Sequence, residues 1–405
     1  MPTVLIIGGG VAGPASAMAL QKAGLDPIVF EAYDRTADGI GANLVLAVNG
    51  RHALHELEIK SALDRGFDIP RNQYYMGNGR RLSLVPNGKL LDDGTASRAI
   101  KRGDLYVALR DEAIARGVRF EFGMRMVDAE NTGDGVVARF SDGTEVKGDL
   151  LIGADGLHST LRKIIDPDGP PPRFGRLLNT GGYTDEVDVP GVTGTENMLL
   201  GKRCFFSYVH DPDGQVWWYA APSWQQEQSR EELARTMGPD RWRAHLEELF
   251  ADDDTPALDI IRATKDIWAP WPIQDLPKVP HWRSGRMLII GDAAHAVSPA
   301  AGQGASMAIE DSVVLGQCLR DIPDVPAALA RFEELRRPRV ERVVAFGKRA
   351  GDLMIVPNQL RRRVRDMVLP ILFRRIALNE AASLSWVYDH RLNWDETVSP
   401  SAAAA

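Results

Sequence analysis

The chain of 405 residues contains only two cysteines, Cys204 and Cys318. They are far apart and make neither a disulfide framework nor a metal-ligand cluster. Their expected state is a pair of buried thiols in a reducing cytoplasm. No apolar run approaches the length of a membrane span, which excludes integral membrane association. Positive charge is not in excess: 48 Lys and Arg stand against 55 Asp and Glu, for a net charge of −7. Nucleic acid, which favours a basic surface, therefore has no electrostatic case as a partner. There is no internal repeat and no low-complexity linker. No charged n-region precedes Val4-Leu5-Ile6-Ile7, so that run reads as a first strand and not as a signal peptide.

What is present is an ordinary globular composition, 44% apolar and 25% charged. The length exceeds what one compact core usually serves, so two domains are expected. Residues 3–31 read as strand, glycine turn, helix, strand. Asn49 to Glu58 reads as a short helix, and Gln73 to Val85 as a hairpin turning at Gly77-Asn78-Gly79. Arg102 to Arg116 is an amphipathic helix. Asp149 to Ile152 and Arg286 to Ile290 are buried strands, and Ala305–Arg320 is a helix. Between Gly175 and Pro222 the texture changes to short aromatic-rich β runs, followed by a helix, Ser229 to Phe250, broken at Gly238-Pro239. This interleaving predicts one α/β nucleotide domain assembled from three stretches, with a β-sheet domain inserted.

Gly8-Gly9-Gly10-Val11-Ala12-Gly13 fits G-x-G-x-x-G, after a buried strand and at the start of a helix. Gly8 permits the tight turn, Gly10 lets the backbone approach a pyrophosphate, and Gly13 lets helix and strand pack closely. The helix start at Ala12 offers unpaired N–H groups and a positive dipole end. Glu31, ending the second strand, can accept hydrogen bonds from ribose hydroxyls, and its charge argues against a 2′-phosphate. This motif alone does not separate FAD from NAD.

Two further stretches do. The run from Asp149 to Arg162, with Gly153-Ala154-Asp155-Gly156 at its centre, resembles the D-G motif of the class A flavin monooxygenases, the para-hydroxybenzoate hydroxylase-like superfamily. Gly291-Asp292-Ala293-Ala294-His295 through Pro299, Gly302, Gly304 and Ala305 to Glu310-Asp311 is similar to that family's G-D signature. Lys101-Arg102-Gly103-Asp104-Leu105 matches the helix start between the motifs, and Trp271-Pro272-Ile273 to Trp282 matches the usual lead-in. The resemblance covers about residues 1 to 395.

The resemblance implies a Rossmann-like FAD-binding domain of the glutathione-reductase type over 1–72, 99–174 and 281–340. It implies a mixed or antiparallel β-sheet substrate domain over 73–98 and 175–280. Helices over 341–395 would bridge the two, with a disordered tail at 396–405. It further implies that Arg102 reaches the FAD phosphates and ribityl chain, and Asp292 a ribityl hydroxyl. Asp155, supported by Arg162, would serve FAD and the reduced nicotinamide. Pro299, Gly302, Gly304 and Ala305 would face the flavin edge, with His295 pinning that loop and not acting as a base. Ser306 departs from the more usual Asn, and Ala32 from the more usual Arg.

The chemistry so implied is hydroxylation of an aromatic or polycyclic small molecule by O2 through a flavin C4a-hydroperoxide, with NADPH or NADH as co-substrate. No metal is needed. The enzyme would be cytoplasmic, a monomer or homodimer. The two strands from Arg203 to His210 and Gln215 to Ala221 carry Phe205, Phe206, Tyr208, His210, Trp217, Trp218 and Tyr219. Period-2 alternation sends one set to a pocket, with Tyr208 or His210 placed to bind or deprotonate a phenol. The basic run Arg361-Arg362-Arg363-Val364-Arg365 with Met367 to Phe373 is compatible with a membrane-surface helix, but reads rather as a solvated basic face over a buried apolar one. The alternatives are a halogenase, epoxidase or reductase on the same scaffold, an NAD dehydrogenase, or a non-catalytic flavin sensor. Trp268-Ala269-Pro270-Trp271-Pro272-Ile273 has the wrong spacing for the halogenase motif W-x-W-x-I-P.

Overall fold

The computed structural model describes residues 1–34, 42–355, 359–378 and 384–400. A six-stranded sheet organises the first half of the molecule. Its order is Arg283–Ser284, Met287–Ile289, Leu150–Gly153, Thr3–Ile7, Asp26–Glu31, Arg119–Phe122. Every pairing in it is parallel except the edge contact between Arg283–Ser284 and Met287–Ile289. Parallel strands are covered on both faces, which is why they read as unbroken apolar runs. On one face the helices Ala12–Lys22 and Gly304–Asp321 pack together, with Ser16 Oγ and Ser312 Oγ 2.9 Å apart. On the other lies an antiparallel sheet of Met126–Asn131, Val136–Phe140 and Glu145–Gly148, whose Phe140 meets Phe30 at 4.8 Å between ring centroids.

A seven-stranded sheet organises the rest, in the order Trp271–Asp275, Arg173–Thr184, Val216–Ala221, Phe205–His210, Thr195–Leu200, Arg71–Met76, Arg81–Pro86. It is antiparallel except where Thr195–Leu200 runs parallel to Arg71–Met76. Its strands thus start at Arg71 and Arg173, slightly ahead of the 73 and 175 expected from composition. One face packs Phe206, Tyr208 and Trp218 against Trp242, Leu246 and Phe250 of the helix Arg230–Phe250. That helix is broken by Gly238 at φ +58°, as its Gly-Pro pair predicts. The other, inner face carries Phe205, Tyr219 and Ala221 beside Leu177, Met354 and Leu369, and Trp217 beside Phe67 and Ala99.

The chain closes with the long helix Val325–Met354, then Gln359–Leu378 and Ser385–Tyr388. The expected arrangement of Gln359–Leu378, basic outside and apolar inside, is corrected. Leu360, Val364, Met367, Val368 and Ile371 are all exposed. The inward side is taken by Leu369, by Phe373 against the Tyr74 ring at 4.5 Å, and by Arg365, which donates to Gly201 O at 2.8 Å. One helix side meets the sheet, and this segment has more apolar residues than that side can bury.

The expected disordered tail from 396 is also corrected. Arg320 Nη2 donates to Glu396 O and Val398 N donates to Asp321 Oδ2, both at 2.8 Å, so the chain stays anchored there. Residues 401–405 of that expected tail lie outside the described residues. Both cysteines are free and buried, and burial pushes the Cys318 thiol up to about 12. Among the described residues, no helix is long and apolar enough to cross a membrane.

Candidate active site

Three parallel neighbours of the six-stranded sheet, Thr3–Ile7, Leu150–Gly153 and Met287–Ile289, end at one edge, and each runs into one motif. The three motifs touch. Gly8 has φ +105°, and a Cβ there would stand 2.4 Å from Ala154 O. A Cβ on Gly13 would stand 1.9 Å from Gly8 O, so only glycine closes this turn. A Cβ on Gly291 would lie 3.2 Å from that of Ala12, which sets Asp292 beside the first helix. Arg162 joins the other two motifs: Nη1 donates to Ala293 O at 2.9 Å and Nη2 to Leu157 O at 2.6 Å.

Several groups at this edge await a partner. The space around Gly10 is open, as it is around Gly302, which turns with φ +59°. Asp155 Oδ2 accepts from the N–H groups of Thr160 and Leu161 at 2.7 and 3.2 Å, while its Oδ1 is buried without a partner. Burial pushes the Asp155 carboxyl up, and its hydrogen bonds pull against that shift. Glu31 accepts from Gly9 N at 2.7 Å and Tyr33 N at 3.0 Å, bracing the glycine turn. Asp292 starts the short helix Asp292–His295 and is exposed, as is Arg102 at the start of Arg102–Ala115. After the turn Pro299–Ala301, Gln303 Oε1 accepts from Asn49 Nδ2 at 2.9 Å, leaving Gln303 Nε2 and Asn49 Oδ1 buried and unpaired. Open backbone at two glycines and orphaned amide and carboxylate atoms along one rim suit a ligand with phosphates, hydroxyls and a polar ring edge, as FAD has.

A buried charge network holds the third motif from behind. Asp311 accepts from Gly291 N at 2.9 Å, meets His295 Nε2 at 2.6 Å and accepts from Arg336 Nε at 2.7 Å. Glu310 accepts from Asn49 Nδ2, Arg336 Nη1 and Arg339 Nη2, each at 2.8 Å. Burial alone would raise both acids. Arg336 with Arg339 brings Glu310 down to about 2, and His295 with Arg336 brings Asp311 down to about 2. His295 thus sits inside a structural network. Ser306, in place of the more usual Asn, accepts from Ala47 N at 3.2 Å, and a Cβ on Gly50 would lie 2.5 Å from its Oγ. A larger side chain at 306 would meet the helix Val48–Glu56.

The substrate-side expectation for Tyr208 and His210 is corrected. Both point away from the inner face. Tyr208 OH donates to Pro190 O at 2.5 Å, and the residue packs in the core against Trp242 and Phe250. His210 lies 5.9 Å from the Tyr208 ring and against Gly191, and burial lowers its pKa. Alternation is the reason: residues 206, 208 and 210 share one side of the strand, where Arg230–Phe250 packs on Phe206 and Tyr208. The inner side carries Ser207 and, across from it, Tyr219 and Met198. Sequence reasoning overlooked Glu196, Tyr74 and Tyr388, which gather there. The signal available for Glu196 was one acid in the run Thr195-Glu196-Asn197-Met198-Leu199-Leu200. Asn49 and Arg336 gave no such signal.

A strand edge of this topology, with a glycine turn at its first helix and polar groups along the rim, defines a dinucleotide-binding protein. The comparisons narrow the class. The family described as "FAD binding domain" matches residues 1–347, and the chain belongs to it. It is 31% identical over 379 residues to the aurachin C monooxygenase/isomerase of Stigmatella aurantiaca, covering 91% of this chain and 93% of that protein. It is 32% identical to the 3-amino-4-hydroxybenzoate 2-monooxygenase PtnB3 of Streptomyces platensis, covering 91% and 92%. The structure of HpxO from Klebsiella pneumoniae complexed with FAD and uric acid superposes with a TM-score of 0.80 at 25% identity, covering 95% and 97%. The chain is an FAD-dependent monooxygenase of the class A, para-hydroxybenzoate hydroxylase-like group.

Proposed function

We propose that this chain hydroxylates a flat aromatic or polycyclic small molecule lodged between the Pro299–Gly304 loop and the inner face of the seven-stranded sheet. When bound, FAD would supply the redox chemistry by which NADPH or NADH and O2 place one oxygen atom on the substrate while the other leaves as water. The protein's own residues bind, orient and exclude water. The turn Gly8, Gly10, Ala12 and Gly13 takes the pyrophosphate, and Glu31 the adenosine ribose. Arg102 and Asp292 hold the phosphates and ribityl chain, and Asp155 borders both FAD and nicotinamide. Pro299, Gly302, Gly304 and Ala305 present backbone N–H groups and a helix start to the polar ring edge, where negative charge develops. The stretches 1–72, 99–174 and 281–340 act as the cofactor domain, and 73–98 with 175–280 as the substrate domain. The enzyme works in the cytoplasm, as a monomer or homodimer.

The observation that carries this reading is the meeting of three sequence-distant motifs at one parallel strand edge, rimmed by unpaired polar atoms. The rings named in the relatives, 3-amino-4-hydroxybenzoate and uric acid, are flat and support the substrate class. The test is a panel of phenols, indoles, quinolones and polycyclic polyketides, scored by NAD(P)H oxidation coupled to a mass gain of one oxygen. Stimulated, coupled turnover by at least one class is expected. A flavin-loaded protein that oxidises NAD(P)H no faster with any of them would overturn the reading. Product that appears only with halide would replace it by halogenation.

A further inference from the structure

Glu196 is a carboxylate set among aromatic and sulfur-bearing side chains, and it is only 6% exposed. Ser207 Oγ donates to its Oε1 at 2.5 Å. Its Oε2 is buried and has no hydrogen-bond partner among the described residues. Burial raises its pKa and the Ser207 hydroxyl offsets this; among the described residues no guanidinium or ammonium contributes. An unpaired buried acid of this kind is costly to the fold, so a structural role does not explain it.

Its neighbours share the inner face of the sheet. Tyr74 lies opposite Met198, and Tyr219 opposite Ser207, on the same inner face. Tyr388 comes from the C-terminal side and rests on Gly88, where a Cβ would stand 3.3 Å from that of Tyr388 and 2.9 Å from Val48 Cγ2. Val48 opens the helix whose Asn49 holds Gln303, so Tyr388 packs near the helix that braces the Pro299–Gly304 loop. Burial pushes the Tyr388 hydroxyl to about 12 and those of Tyr74 and Tyr219 up as well, and all three feel the charge of Glu196. Yet each keeps part of its surface accessible.

We propose that Glu196 Oε2 is the acceptor for a ring N–H or phenolic O–H of the aromatic substrate, and that it selects donor-bearing rings over their alkylated counterparts. This rests on the reading that the inner face takes the substrate. A site built around a buried acceptor rejects an analogue that lacks the donor, because the acceptor is then left unpaired. Ser207 is the positioning residue that fixes the carboxylate by one oxygen and leaves the second for the substrate.

The test uses the FAD-loaded enzyme and two probe pairs, 4-quinolone with N-methyl-4-quinolone, and 1-naphthol with 1-methoxynaphthalene. Binding is read from perturbation of the flavin absorbance, so it does not depend on turnover. Wild type should bind the donor member of at least one pair about tenfold or more tightly, and the pair that responds identifies N–H or O–H as the donor. Glu196→Ala should lose most of that preference, and Glu196→Gln, whose amide oxygen still accepts, should keep part of it. Both should keep FAD, and Glu196→Gln should melt no lower than wild type, because it removes a desolvated charge. The proposal is overturned if wild type distinguishes neither pair, if Glu196→Ala keeps the preference, or if Glu196→Gln sheds FAD and loses stability. In the first two cases, coupled oxygenation of either ring leaves the broader function standing. That function falls only if no aromatic stimulates NAD(P)H oxidation.

Discussion

Two buried glutamates behave oppositely in this molecule. Glu310 sits behind the cofactor loop, bonded to Asn49, Arg336 and Arg339, and is held near 2. Glu196 sits on the inner sheet face with one oxygen unpaired among the described residues and its pKa raised. Both are taken out of water, so burial alone does not distinguish them. What differs is whether the fold supplies cations. Where it does, the carboxylate fixes geometry: Glu310 and Asp311 lock the start of Gly304–Asp321 to Val325–Met354 and hold Gly291 in place. Where it does not, the carboxylate remains available to something that enters.

The comparison breaks most sharply at Arg336. Arg336→Met leaves two buried acids short of their shared cation and should cost about 3–5 kcal/mol in urea unfolding, with loss of FAD on purification. Acid titration sharpens the same contrast. Glu310 and Asp311 ordinarily titrate at 4.5 and 3.8 and are lowered to about 2 in the fold. Their stabilisation is therefore complete above about pH 5 and is lost as pH falls from there through about 2, each acid contributing on the order of 2–3 kcal/mol. Glu196 has the opposite sign: its raised pKa means that the cost of ionising it grows as pH rises above 4.5. Chemical denaturation across pH 2 to 8, for wild type and Glu196→Gln, separates the two contributions.

Gly13→Ala places a Cβ on Gly8 O and should cost about 1–3 kcal/mol, with a matching fall in bound FAD. Gly10→Ala, where the space is open, should leave the melting temperature of the apoprotein unchanged while still weakening FAD binding. The smallest effect is expected at Tyr208→Phe. It removes the bond to Pro190 O, worth about 0.5–1.5 kcal/mol, and should leave KM and kcat for an accepted aromatic unchanged. A large change in KM would return Tyr208 to the substrate side.

The cofactor half was legible in the chain because its determinants are local. A glycine turn, the strand before it and the helix after it are contiguous, so Gly8 to Gly13, Asp155 and the run from Gly291 to Ala305 could be read in place. Arg336 could not, because it meets Glu310 and Asp311 only after Val325–Met354 folds back across Gly304–Asp321. The tryptophans and tyrosines of residues 205–221 announced a buried sheet, but alternation gives two faces and no label for either. The choice of face was made by Arg230–Phe250, which covers Phe206, Tyr208 and Trp218.

By itself, then, the sequence determined the flavin scaffold and the order in which its motifs occur, since short-range spacing and glycine sterics suffice for that. Only the tertiary structure decided which strand face meets the cofactor loop, which acids are neutralised and which one is left bare. Those outcomes depend on where distant helices come to rest, and local chemistry carries no record of that.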